Sequence, residues 1–334
     1  MEKTRLEFID RMKGIAILLV IVGHIIQFNN LDGGTNNKLF NLIYSFHMPL
    51  FFILSGYVAS RGWDKIVNRL SFINFLWKKI YTLVLPLLTW TLFVGKYFFA
   101  QHFEVISIDD ILNAFLHPGL WFLQILFEIQ ILFGFFCLLN HYLNKMGRLY
   151  ISIILAGLIF ILPVIGYLLI DKPHFMTLIL FTLFFFMGSF ISRYSNIEKF
   201  IMNKYVFASS LILFLVLAAH WSIHGNTIDD LLKVIISTVA FIALLHLTQQ
   251  VKGTYYIIDS QIQLLGKESL AIYVMQFFLT SKILFVSEIA GSNLFIQFVL
   301  ISVIAVSIAY LCVLTHRIFE KSNVLNFILY GKKQ

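Results

Sequence analysis

Asp10-Arg-Met-Lys13-Gly-Ile-Ala-Ile-Leu-Leu-Val-Ile-Val-Gly23-His24 opens the first long apolar run of the chain. At 1.5 Å per residue, the eleven steps from Lys13 to His24 climb about 16 Å, half of a hydrocarbon core of about 30 Å. Eleven steps are also about three helical turns, so both side chains lie on nearly one face. The stretch therefore reads as a membrane span with a cation at its water boundary and an imidazole at mid-depth.

Working outward, apolar runs of this kind recur to the end of the chain. Of the 334 residues, 59% are hydrophobic and 13% charged, and the mean hydropathy is +0.86. A water-soluble fold cannot cover that much apolar surface, so the class is an all-α, polytopic membrane protein. Ten spans are predicted, at 14–28, 40–59, 80–99, 120–139, 149–170, 176–191, 206–223, 231–247, 270–286 and 294–314.

Alternation from an inner N-terminus places 20 of the 25 Lys and Arg on inner segments and two, Lys38 and Lys172, on outer ones. Both termini are therefore expected in the cytoplasm of a cell-membrane protein, and the net charge of +8 is a positive-inside signal rather than a nucleic-acid footprint. Trp63 and Trp77 fall near the expected inner boundary, Trp121 and Trp221 near the outer one. Residues 60–79 and 249–267 read as cytoplasmic loops, and 109–117 as a short interfacial helix. No linker divides the chain, which reads as a single domain over 1–334.

Ionisable groups within spans cost about 2.5–3.5 kcal/mol each on insertion scales, and they usually face a site or a pathway. By rise alone, His24, His47, Glu128 and Gln276 fall near the bilayer middle on four different spans. His117, Trp121, Gln124 and Glu128, spaced by four, three and four, draw a polar stripe on one helical face. A second line runs through Asp10, Lys13 and His24. His47 stands two residues before Pro49, so bracing a kink is its leading reading. Cys137 and Cys312 lie inside spans and read as packing residues. Gly188-Ser189 suits a close helix contact. No metal-ligand spacing is present.

Four segments resemble the acyltransferase-3 family, integral membrane proteins that O-acylate cell-envelope sugars with acyl-CoA. Lys13 to His24 is similar to its opening motif of a basic residue, ten others and a histidine. Phe46-His-Met-Pro-Leu-Phe-Phe-Ile-Leu-Ser55-Gly56-Tyr57 is similar to its second span, and Leu120-Trp-Phe-Leu123 followed by Glu128 to its fourth. Leu265-Gly-Lys-Glu-Ser-Leu-Ala-Ile-Tyr273-Val-Met-Gln276 is similar to its late span. Two departures stand out. Thr82 follows Lys78-Lys79 where a second basic residue often stands, and Gln276 replaces a frequent histidine.

The resemblance implies transfer of an acetyl group from cytoplasmic acetyl-CoA to a hydroxyl of a sugar or glycan. Lys13, Lys78 and Lys79 would hold the phosphates of CoA at the inner boundary. His24 would be the general base, or would carry the acyl group itself in a two-step route. Glu128 would orient the imidazole, with Asp10 upstream as a further catalytic candidate. Trp121, Ser55, Tyr273 and Gln276 are candidate donors to the developing oxyanion, with His47 among the substrate contacts. A proton-coupled transporter would use the same buried His and Glu groups, and succinyl could replace acetyl.

Overall fold

Proline has no backbone N–H, so Pro49 leaves the carbonyl of Ser45 without its helical donor. In the computed structural model the Ser237 hydroxyl fills that vacancy, donating to Ser45 O at 2.8 Å. His47 works on the same break, its Nδ1 lying 2.8 Å from the Ile43 carbonyl. Inside a membrane such side-chain repairs make a proline tolerable.

The structure describes residues 6–99, 106–116, 119–224, 227–250, 256–282 and 294–332. The described residues are helical, with no strand. Along the chain run α1 (Glu7–Phe28), α2 (Lys38–Tyr44), α3 (His47–Ala59), α4 (Arg69–Lys79), α5 (Leu85–Leu88), α6 (Ile108–Leu116), α7 (Trp121–Leu143) and α8 (Leu149–Leu169). There follow α9 (Lys172–Arg193), α10 (Ser195–Ile201), α11 (Lys204–Ala218), α12 (Thr227–Gln250), α13 (Tyr256–Lys267), α14 (Ser269–Thr280), α15 (Leu294–Glu320) and α16 (Asn323–Tyr330). Wide π-helical turns, Ile80–Val84 and Thr89–Phe99, flank α5 and its Pro86.

Six stretches among the described residues are long and apolar enough to cross a membrane: Lys38–Lys65, Trp121–Leu143, Leu149–Leu169, Lys172–Arg193, Asp229–Gln250 and Phe295–Glu320. The consecutive helices α10 and α11, bent by 64°, would add a seventh as one broken span. The other expected spans differ for identifiable reasons. The uncharged part of α1 is short, because Glu7, Asp10, Arg11 and Lys13 occupy its first two turns. Span 80–99 is interrupted around Pro86. Span 270–286 is covered by the 12-residue α14 as far as Thr280, and its positions 283–286 lie outside the described residues.

The chain divides into two compact units, one of residues 1–51 and 198–318, the other of 52–197 and 319–334. In the first, α1 packs chiefly along α13 and then α14, and α11 packs along α12. The α1–α13 contact is backbone to backbone: a Cβ on Gly14 would overlap the Ile262 carbonyl, and one on Gly266 the Asp10 carbonyl. Arg11, 4% exposed, ties the same helices together. Its Nε donates to Asp259 Oδ1, its Nη2 to Asp259 Oδ2 at 2.7 Å and to Glu7 at 3.2 Å. Residues 256–267 thus form a docked helix rather than the loop their polarity suggested, because Asp259 and Gly266 are turned inward onto α1.

In the second unit α7 packs on α4, α8 and α9, and α5 on α16. Phe181, Phe184, Phe185 and Phe186 are buried and fill this core. The close contact expected at Gly188 is present: Cβ atoms there and at Gly56 would meet the carbonyls of Ile53 and Phe185. Gly188→Ala should therefore lower thermal stability by about 1–3 kcal/mol. Gly157→Ala, at a position with nothing within 4 Å, should leave the melting temperature unchanged in the same detergent.

Both cysteines are buried and free, and α6 supplies the short helix expected at 109–117 as far as Leu116. Trp77 is 61% exposed, as a boundary indole should be, whereas Trp63 and Trp221 are buried at 2% and 6%. Trp221 turns inward because its indole N–H finds the Asp229 carbonyl at 2.9 Å.

Candidate active site

His24 lies on α1 three turns above Lys13 and is half-buried. Its Nδ1 is 3.0 Å from Gln276 Oε1, and Gln276, on α14, is fully buried. The other end of the amide settles the direction of this bond. Gln276 Nε2 donates to the Tyr273 carbonyl at 3.3 Å, so Oε1 faces the imidazole and Nδ1 must carry the proton. Nε2 of His24 then holds the lone pair, the form a base or nucleophile requires. Thr280 donates to the Gln276 carbonyl at 2.7 Å, bracing the helix that carries the amide.

Aromatic rings surround the imidazole in the same unit. Phe28 and Phe277 lie 5.4 and 5.8 Å from it, centroid to centroid, and pack on one another at 5.6 Å. Nearby Tyr44 donates to Gln27 Oε1 at 3.2 Å and meets His47 edge-on at 4.5 Å. His47 itself is 1% exposed, and with its Nδ1 on the Ile43 carbonyl it fits the bracing role. Tyr273 is buried and Lys13 half-buried. Asp10 is buried in the first turn of α1, where a carboxylate suits the helix dipole.

Glu128 sits in the other unit with partners of its own. Gln124 Nε2 donates to its Oε1 at 3.0 Å, and His174 Nε2 lies 2.9 Å from its Oε2. The Gln124–Glu128 bond bears out their shared face on α7. Trp121, half-buried, lies against the stacked pair Phe52 and Phe181, 6.5 and 5.3 Å from their rings, and Ser55 is half-buried on α3. His117, the stripe's first member, lies outside the described residues. Lys78 is exposed, and Lys79 stands over the Phe75 ring at 5.2 Å. Both end α4, where cations also complement the helix dipole. Burial and the neighbouring Lys78 charge push the Lys79 ammonium down to about 8.

Within its unit His24 meets Gln276, a partner that sequence reading placed among the oxyanion donors, and within the other unit Glu128 meets His174. His174 gave no signal, because its position beside Pro173 at a span's edge hid its depth. The Arg11–Asp259 tie was missed too, although Asp259, Gln263 and Gly266 recur at helical spacing and could have exposed it. Among the described residues no group of His, Cys, Asp and Glu could hold a metal ion.

A family model described as an acyltransferase domain matches residues 6–314. Two curated relatives match in part. Nodulation protein NolL of Sinorhizobium fredii is 39% identical over 84 residues, 24% of this chain and 22% of the relative. Nodulation protein NolL of Mesorhizobium japonicum is 36% identical over 106 residues, 31% and 27% of the two chains. The chain thus spans about a quarter of the length of the curated relatives it matches. No solved structure matches.

Proposed function

The chain belongs to the acyltransferase-3 family, and from that premise we propose that it moves an acetyl group from acetyl-CoA to a hydroxyl of a cell-envelope sugar or glycan. The observation that carries the chemical reading is the contact of His24 Nδ1 with Gln276 Oε1 at 3.0 Å. With Nδ1–H bound to Gln276, the Nε2 lone pair takes the hydroxyl proton as the acceptor oxygen attacks the thioester carbonyl. The C–S bond then breaks, and the leaving CoA thiolate recovers the proton from the imidazolium. A positioned base of this kind contributes roughly 10²–10⁴-fold.

Gln276 holds and orients the imidazole, the part that sequence reading gave to Glu128. One N–H of its amide goes to the Tyr273 carbonyl, and the candidate donors to the oxyanion remain Trp121, Ser55, Tyr273 and the second N–H of Gln276. Glu128, bound to Gln124 and His174, takes no proton step in this scheme.

In the proposed orientation both termini face the cytoplasm of the cell membrane, and acetyl-CoA arrives from that side. Lys13, Lys78 and Lys79 attract its phosphates. Lys78→Gln and Lys79→Gln should each weaken CoA affinity roughly 2- to 5-fold, the scale of an exposed ion pair. Titration of CoA into purified protein checks this, and unchanged affinity would remove both lysines from the donor site.

The reading as a whole is tested by supplying purified protein with acetyl-CoA and envelope glycans. Free thiol and acetylated glycan should appear together. Proton uptake coupled to solute movement, without thiol release, would establish the transporter reading instead.

A further inference from the structure

The second unit holds a cavity of about 340 Å³ that the transfer chemistry does not use. Its lining includes Trp63, Asp64, Asn144, Lys145 and Arg193, drawn from the ends of α7 and α9 and from the turn after α3. These are the ends of membrane-length helices, so the cavity opens at a membrane boundary.

Trp63 is the first sign of a ligand. Its ring is clamped edge-on by Phe136 at 4.6 Å, with the Arg193 guanidinium 5.6 Å from its centroid. The side chain is buried, yet among the described residues its indole Nε1–H has no hydrogen-bond partner. A buried donor in a rigid ring calls for an acceptor from outside the chain.

Charge gives the second sign. Lys145 and Arg193 line the cavity with one carboxylate, Asp64, which leaves a net charge of +1 with His141 neutral. Asp64 is 69% exposed although Arg193 holds it bidentately at 2.6 and 2.9 Å. The pair is a solvated rim contact, and it leaves Lys145 to meet an anion. The Asn144 side chain is spent on Asn140, Ser152 and the Arg148 backbone, so the cations and the indole supply the donors.

The rim gives the third. Leu139, Leu143 and Met146, beside the lining residues, are 38%, 61% and 74% exposed. Leu139 and Leu143 share a face of α7. In a protein that crosses a bilayer, such residues border acyl chains. The volume, near the lower end of ligand pockets at about 300–1,000 Å³, suits a phosphate and its glycerol rather than a whole CoA.

We propose that this cavity binds the phosphate head of an anionic phospholipid, with Trp63 Nε1–H and Lys145 on its oxygens and the acyl chains against Leu139, Leu143 and Met146. Basic recesses at helix ends recognise lipid heads in this manner. The site is independent of acyl transfer, and its test needs no turnover.

Native mass spectrometry of the delipidated full chain, offered phosphatidylglycerol or phosphatidylcholine, provides the test. Phosphatidylglycerol should be retained roughly 10-fold more tightly, the scale of a hydrogen bond to a charged group. Trp63→Phe keeps the ring and deletes the donor, and Lys145→Gln deletes the charge. Each should cost roughly 3- to 10-fold for phosphatidylglycerol and leave phosphatidylcholine unchanged. Equal retention of both lipids overturns the proposal, as does unchanged affinity in both variants. Binding of inorganic phosphate with no lipid retained overturns it as well.

Discussion

His24→Ala should abolish acetyl transfer, with a loss of roughly 10²–10⁴-fold, while the protein remains folded and binds CoA. The side chain is half-buried and its one described hydrogen bond goes to Gln276, so alanine removes chemistry more than packing. Thiol release and glycan acetylation read the activity, and size-exclusion profile with thermal unfolding reads the fold. Gln276→Leu supplies the graded comparison. It leaves the imidazole in place but frees its tautomer, and it should lose on the order of 10-fold. Full transfer by the alanine variant would remove His24 from the mechanism. Equal activity of wild type and the leucine variant would remove Gln276 from its orienting role. Acid quench after one turnover with labelled acetyl-CoA separates the two routes, since only an acyl-histidine leaves label on the protein.

Arg11→Met should destabilise the protein by about 3 kcal/mol, because it strands the Asp259 carboxylate between α13 and α1. The double variant Arg11→Met, Asp259→Met should recover most of that loss, since replacing a whole buried pair by apolar groups is often neutral. Thermal unfolding in one detergent checks both. A single variant as stable as wild type would show that the glycine contacts hold these helices unaided. The pair also predicts an acid limit. The hydrogen bond from Arg11 holds the Asp259 carboxyl below its ordinary value of 3.8. Its contribution is therefore full above that pH and is lost as pH falls through the lowered folded value. In the double variant this part of the acid sensitivity should vanish.

Much of the first unit was legible along α1. That one helix carries both Lys13 and His24 was legible, because the apolar run between them left no other conformation for a membrane. The break at His47 and Pro49 was legible as well, since proline chemistry is local. Residues 256–267 were misread because polarity was taken as exposure, whereas Asp259 is buried by a partner 248 positions away. Trp63 was misread for a similar reason: the belt rule places an indole at a depth but cannot say whether it turns toward lipid or inward.

From its sequence alone this protein was determined to be a helical membrane protein, because composition and apolar run length are properties of single segments. Only the tertiary structure decided that Gln276 meets the His24 imidazole, that Glu128 meets His174, and that Arg11 reaches Asp259. Those pairings depend on how each helix is rotated about its axis and which neighbour it meets. That is set by glycine-thin contacts and side-chain packing between distant segments, which no single run of residues contains.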